Sequence, residues 1–591
     1  MLKKLLVLLL ITFSLSQIAT ADTNIDILAE IVLKKNKRLF IDKGRIDGVE
    51  IGHKLDILYD GRNFGSAIIS WVGEDISYAR VDSATFYRYY YIEPLEAKIY
   101  LVRPSKYEGG TVNVPFYRRL YLTPSEIMMP DEQAVACLLY DGLVRMNDQG
   151  NIIPGLAHTW EVHGNTYTFH LNSEVKFHTG KYLDALDVAY SLVQLARAPT
   201  VTPASSFILE VDGYDEVHSG RKNELRGVFI PNKYSIAITT KDTFIPFLKY
   251  MAGPGGYIIP SLERSPVPVG TGPFKVARIN DNRITLAANT DFFETRPVVD
   301  SVIFSRYENR KEAALDFELG RLDLIYFDSQ EDRDLLTGGD YSSRRYYTSS
   351  MVLLGFQCGH EYQKDYKLAK ALQYLFDKES IVRVLLGNSA RKSDGLTPPS
   401  LGIEPETTTD YYFMPSEAKT RIAEIENLPK QLNLVYDNTD PMLESVANYI
   451  SGQLRHADFK IKIQQANSRH LEKSTALSSM DFYLFRTDLI VPDADAFFYP
   501  TFSGKLNGRT NYLNYDNPQL ERFLDGARRL DDDYVRTDIY RETEKLLMES
   551  PPAVSLYNAY MTAAFRRDLG GFKPDLRAYV NLREIFFQAG K

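Results

Sequence analysis

The sequence predicts an α/β protein of more than one domain, preceded by a small β-rich module. Three observations point there. A chain of 591 residues exceeds what a single hydrophobic core holds. Residues 431–463 run strand, helix, strand, the rhythm of an α/β layer with a partly parallel sheet. Residues 22–105 carry short β patterns separated by turn signals, the pattern of a small, strongly twisted β-barrel-like module.

Residues 1–21 read as a secretory signal. Lys3 and Lys4 open it, Leu5 to Leu15 form an apolar run, and Ala19-Thr20-Ala21 make a small-residue cleavage site. The run is too short to span a bilayer, and no Cys follows the cleavage site, so no lipid anchor is expected. No later segment approaches the roughly 18 uninterrupted apolar residues of a membrane helix. The expected product is an exported, periplasmic, monomeric chain.

Formal charge is −8, and two units more negative without Lys3 and Lys4. Phosphate binding needs clustered Lys and Arg, so nucleic acid is excluded as a partner. Cys137 and Cys358 both sit in apolar runs and are expected as buried free thiols. The chain has 39 Tyr and 31 Phe. Such rings serve a β-rich core or line a cleft with polar-tipped rings, and composition does not separate the two.

In the N-terminal module the strand patterns are Arg38–Ile41, Lys54–Leu58, Gly65–Val72 and Ser77–Val81, with turns at Asp47-Gly48, Gly52 and Asp60-Gly61. A linker follows near Pro104–Gly110. Thr111–Val114 and Arg119–Pro124 read as strands and Ala134–Leu139 as a helix. The stretch Tyr140–Ser191 is hairpin-rich and then enters a helix. Asn147–Gly150 is turn chemistry, Tyr167–Leu171 alternates as a half-buried strand, and Asp184 caps a helix that starts at Ala185, with Asp187 reaching back. Pro266–Lys275 (PVPVGTGPFK) is a loop turning into a strand at Phe274. Its two glycines lack the third glycine and the following helix of a phosphate loop. A strand at Asp300–Phe304 precedes a helix with Ala313, Leu315 and Leu319 at helical spacing. Met351–Gln357 is a strand, helices follow from Lys367 and Asp377, and Pro552–Tyr557 is a return strand.

Several of these landmarks, in this order, resemble the family 5 extracellular solute-binding proteins, the oligopeptide-binding type that serves ABC importers. The resemblance rests on Gly155-Leu-Ala-x-x-Trp160, Gly270-Thr-Gly-Pro-Phe274, Asn289–Phe293, Leu354-Gly-Phe-Gln357 and Met480–Phe497, and covers roughly residues 108–575. It implies a two-lobed periplasmic-binding-protein fold of the large peptide-binding class (type II). The first lobe would be 106–355 with 556–591 and the second 356–555, joined by two crossing strands that act as a hinge.

The resemblance also implies a ligand site. Met480–Asp488 aligns with the family's Trp-x-Ala-Asp strand, placing Phe485 at the Trp, Thr487 at the Ala and Asp488 at the Asp. In peptide-binding members that Asp pairs with the ligand's α-ammonium, as a charge buried by closure requires. The competing reading is that Asp488 only turns the loop after the strand. Phe356, Gln357 and Tyr557 lie on the crossing strands and are candidate cleft residues, with core packing as the competing role of Phe356.

His158, His163, His170 and His178 cluster in sequence, but two of them match family scaffold positions, so no metal site is expected. No nucleophile elbow, phosphate loop or His-Glu-x-x-His occurs, and no catalytic residue or cofactor is assigned. The leading expectation is therefore a non-enzymatic receptor that captures a peptide, or a similar cationic small solute, for the permease subunits of an ABC importer. Strand edges and aromatic pockets would hold the ligand. One alternative is an envelope sensor or assembly protein that docks a partner through residues 22–105. A further alternative is a hydrolase built from scattered carboxylates.

Overall fold

Alternation at the front of the chain closes a sheet on itself. The computed structural model describes residues 25–588 apart from 36–37, 44–48, 50, 52, 60–61, 74–75, 81–95, 102–105, 148–149, 262–264, 328–334, 337, 339–340, 404–411, 475–476, 490, 572 and 575–579. The segment 1–21 expected as a secretory signal, and the turns expected at Asp47-Gly48, Gly52 and Asp60-Gly61, lie outside the described residues. The chain divides into two compact units, one ending at Ser105 and the other spanning Lys106–Gly590.

The first unit is a barrel of β1 (Ile25–Lys35), β2 (Arg38–Ile41), β3 (Lys54–Tyr59), β4 (Arg62–Val72), β5 (Ser77–Arg80) and β6 (Glu96–Leu101), closed in the order β1-β2-β5-β4-β3-β6. Every second residue points inward. Leu39, Ile41, Leu55, Ile57, Ile69 and Ala79 fill the interior. Closure leaves no strand edge unpaired.

The second unit carries two four-stranded sheets in its first lobe. β7 (Thr111–Phe116) joins β12 (Phe274–Asn280), β13 (Arg283–Ala288) and β14 (Ser301–Arg306) in the order β12-β13-β14-β7, with β14 and β7 parallel. The other sheet is β8 (Ala157–His163), β9 (Thr166–Leu171), β11 (Ser235–Thr239) and β10 (Val228–Asn232) in the order β8-β9-β11-β10. Helix α1 (Pro130–Leu139) and the amphipathic α2 (Ala185–Arg197) lie in this lobe. Asp184 caps α2 by accepting from Leu186 N at 3.0 Å, and Asp187 reaches back to Asp184 N at 3.1 Å.

The tight loop Gly270-Thr-Gly272 lies against the end of α1. A Cβ on Gly270 would stand 2.1 Å from the Leu139 carbonyl oxygen, and one on Gly272 2.5 Å from that of Leu138. Only glycine fits there. His178 locks the loop: its Nδ1 accepts from Gly270 N at 3.2 Å and its Nε2 donates to Gly272 O at 3.1 Å. His170 contacts Ser235 Oγ at 3.2 Å, again a scaffold contact.

A mixed sheet forms the second lobe and runs into the first. β15 (Leu324–Phe327), β16 (Tyr341–Phe356), β17 (Gln431–Asp437), β18 (Lys460–Ala466), β19 (Phe482–Thr487) and β20 (Ala553–Arg566) stand in the order β15-β20-β16-β19-β17-β18, and the short strand Ala390–Lys392 also pairs with β20. β17 is parallel to β18 and β19, as the strand-helix-strand rhythm around α3 (Met442–His456) requires. β16 and β20, 16 and 14 residues long, run where the crossing strands were expected and pair antiparallel from Tyr341↔Arg566 to Gly355↔Ala553.

Two sequence expectations need correction. Arg119–Pro124 is not a strand: Tyr121 N donates to the Glu132 carboxylate, and Pro124 starts a short 3-10 turn. In the helix Arg310–Glu318, Leu315 faces solvent, as does the C-cap residue Leu319, while Ala313, Ala314 and Phe317 are buried. Of the three residues expected at helical spacing, Ala313 alone enters the core. Neither cysteine forms a disulfide, with Cys137 buried and Cys358 partly exposed. Among the described residues no helix is long and apolar enough to cross a membrane.

Candidate functional site

β19 is built to face two environments. Its residues alternate, so Phe482 and Leu484 enter the second-lobe core while Tyr483, Phe485 and Thr487 share the opposite face. Tyr483 and Phe485 stack at 4.9 Å with an interplanar angle of 13°. That face forms one wall of a cavity of about 130 Å³. The facing wall comes from the first lobe: Ile127–Met129 before α1, and Thr200, Val201, Pro203 and Ala204 after α2.

Asp488 follows β19 in this wall. The pairing of Met351 with Thr487 brings Ser350, the preceding residue on β16, to Asp488. Ser350 Oγ donates to Asp488 Oδ1. Arg486 Nε and Nη2 both approach the same oxygen at 3.0 Å, and Nη2 also donates to Ser350 Oγ at 2.8 Å. Arg486 Nη1 lies 3.5 Å from Asp440. No group among the described residues donates to Asp488 Oδ2, which leaves that oxygen as an acceptor on the cavity wall. Asp437, also in the wall, has its carboxylate tied to Thr439 and to Ser468 N.

The candidates from sequence therefore separate. Phe485, Thr487 and Asp488 line this cavity together. Gln357 lies at the end of β16, donating to Tyr512 O at 3.3 Å and accepting from Asn514 Nδ2 at 2.7 Å, beside another recess of about 510 Å³. Phe356 and Tyr557 are elsewhere. Phe356 packs edge-on to Phe482 at 5.7 Å, and Phe356 and Tyr557 both belong to the second-lobe core, 1% and 3% exposed. Strand parity turns them away from the cavity. Among the described residues no three His, Cys, Asp or Glu side chains group as metal ligands would.

Ser350, Arg486 and Arg118 complete the neighbourhood, and sequence reasoning named none of them. Arg486 stands inside the Phe-Arg-Thr-Asp run, two residues before Asp488. Ser350 had no local signal, since only the antiparallel register of β16 and β19 brings it there. Arg118 is 321 residues from Thr439, whose carbonyl it reaches across the lobes with Nη1 at 2.9 Å. Arg469 ties the lobes a second time through Glu126 O at 2.7 Å.

Comparison with known proteins supports this architecture. The chain is 23% identical over 453 residues to a di/tripeptide-binding protein 2 of Pseudomonas aeruginosa, covering 71% of this chain and 84% of the relative. It is 22% identical over 485 residues to the dipeptide-binding protein of Escherichia coli, covering 74% and 86%. The solved structure of the oligopeptide-binding protein AppA from Bacillus subtilis, in complex with a nonapeptide, superposes with a TM-score of 0.70 at 19% identity, covering 82% of this chain and 100% of that one. The model of the middle region of the bacterial extracellular solute-binding proteins, family 5, matches residues 151–509. This chain belongs to that family of solute-binding proteins.

Proposed function

We propose that this chain captures a short peptide between its lobes and releases it unchanged to the permease of an ABC importer. The observation that carries this reading is the cavity walled by both lobes, with one oxygen of Asp488 already fixed and the other open to a donor. Ser350 and Arg486 hold the carboxylate in one orientation, so a ligand N–H meets a preorganised acceptor. Inside a closed cleft such a charge-assisted hydrogen bond is stronger than in water. Tyr483, Phe485 and Tyr512 supply ring surfaces that accept varied side chains.

The peptide relatives favour this ligand class, and the exported, periplasmic setting follows the family and the signal segment. Residues 1–21 would be removed on export and no lipid would be attached. The described wall, with its stacked rings and held carboxylate, is suited to holding a ligand. Isothermal titration of purified protein with di-, tri- and pentapeptides tests the reading: micromolar or tighter 1:1 binding, with the peptide recovered intact, is the expected result. Absence of heat with every peptide length would refute it, and cleavage of the peptide would replace capture with hydrolysis.

A further inference from the structure

The cavity that Asp488 borders has four charged side chains in its lining: Asp437, Arg486, Asp488 and Arg509. Three of them are answered within the protein. Asp437 accepts from Thr439 and from Ser468 N, and Arg486 is shared between Asp488 and Asp440. The Arg509 guanidinium alone has no hydrogen-bond or ion-pair partner among the described residues. One cation of the wall is therefore unanswered, in the same cavity as the open oxygen of Asp488.

The backbone that carries Arg509 is fixed, while its side chain is exposed. The chain leaves the 3-10 turn Gly504–Leu506, and Gly508 takes a φ of +76°, which glycine adopts without strain. Arg509 N donates to Leu506 O at 2.9 Å, and Gly508 N to Asn511 O at 3.1 Å. Buried Asn511 pins the turn, its Nδ2 donating to Ser503 O at 3.1 Å and to Tyr515 O at 3.0 Å. Thr510 Oγ1 adds a bond to Pro500 O at 2.6 Å. Burial raises the pKa of Tyr214 in the first lobe, and the charge of Arg509 works against that rise. The guanidinium thus stands close to the lobe that faces it across the cavity.

A guanidinium presented by a rigid turn, with no internal partner to give up, binds an anion at little cost in ordering. Its planar fork matches a carboxylate, and a peptide offers one at its end and others on acidic side chains. Resting on the peptide reading above, we propose that Arg509 is a specificity-determining residue that receives a carboxylate of the ligand, while Asp488 Oδ2 accepts a ligand N–H. The wall then selects ligands that carry both signs of charge, and Arg486 serves only to hold Asp488.

Calorimetry on the full-length mature protein with two matched pairs tests this. Ala-Ala-Ala against its C-terminal amide reports on the terminal carboxylate, and the amide of Ala-Asp-Ala against that of Ala-Asn-Ala reports on an acidic side chain. The expected result is that one pair favours the carboxylate by at least about fivefold, the scale of a charge-assisted contact at a partly exposed site. The pair that does so names the source. That ratio should fall toward one in Arg509→Gln and remain partly in Arg509→Lys, which keeps the charge without the fork. The wild-type ratios carry the test whether or not a variant folds. Smaller ratios in both pairs, or a ratio that Arg509→Gln leaves unchanged, would overturn the role of Arg509 while leaving peptide capture standing. Binding of none of the four peptides would overturn both.

Discussion

Arg469 of the second lobe forms an ion pair with Glu132 of the first, and both side chains are buried, at 10% and 0% exposure. Glu132 also accepts backbone N–H groups from Tyr121 at 3.0 Å and from Met128 at 3.0 Å, so one carboxylate shapes the loop that forms the cavity's first-lobe wall. Burial raises its pKa, and Arg469 works against that rise. Arg469→Ala should therefore strand a buried charge and cost about 3 kcal/mol in denaturant unfolding. Adding Glu132→Gln should recover part of that loss. A change below about 0.5 kcal/mol for the single variant would show that the pair is not holding the lobes.

Asp488 and its two supports can be separated by substitution. Asp488→Asn keeps the shape but removes the charge, so peptide affinity should fall about 10- to 100-fold by calorimetry. Ser350→Ala leaves Arg486 in place and should cost less, about threefold. Unaltered affinity in Asp488→Asn would mean that the carboxylate serves only the turn after β19.

His178 sets a pH dependence. Its pKa is lowered to about 4 by burial, and its Nδ1 must stay unprotonated to accept from Gly270. The unfolded chain takes up this proton near pH 6.5. The stabilisation is thus complete above about 6.5 and is lost as pH falls toward about 4, with a slope of up to about 1.4 kcal/mol per pH unit. His178→Gln should flatten that portion of the stability profile. A profile identical to wild type between pH 4 and 6.5 would contradict the assignment.

Two glycines should respond in opposite directions. Gly270→Ala drives a Cβ into the Leu139 carbonyl and should destabilise by about 2–3 kcal/mol or prevent folding. Gly452, inside α3 with nothing near its missing Cβ, should gain about 0.5–1 kcal/mol on change to Ala. Denaturant midpoints compare the pair, and a stabilised Gly270→Ala would refute the close approach.

Local chemistry made much of the fold legible. The Asp184–Asp187 capping box, the Gly-Thr-Gly loop and the strand-helix-strand rhythm at 431–463 all act within a few residues, so sequence carries them directly. β1 and β6 of the barrel were not anticipated from sequence. They pair over more than sixty intervening positions, for example Ile25 with Leu101. At the cavity, Phe485, Thr487 and Asp488 were readable because one strand and the residue that follows it present them. Ser350, Arg118 and the cross-lobe role of Arg469 depend on register and lobe packing, which no window of sequence contains. Phe356 takes the core-packing role weighed for it and Tyr557 joins the same core, because such a strand has two faces and only the paired sheet decides which one meets the core.

The most direct measurement is native mass spectrometry of the protein purified from its own host, followed by denaturation and identification of whatever is released. One equivalent of an intact short peptide, depleted in Asp488→Asn, is the expected result. Protein that emerges without any bound small molecule, and remains so after incubation with peptide mixtures, would contradict capture between the lobes.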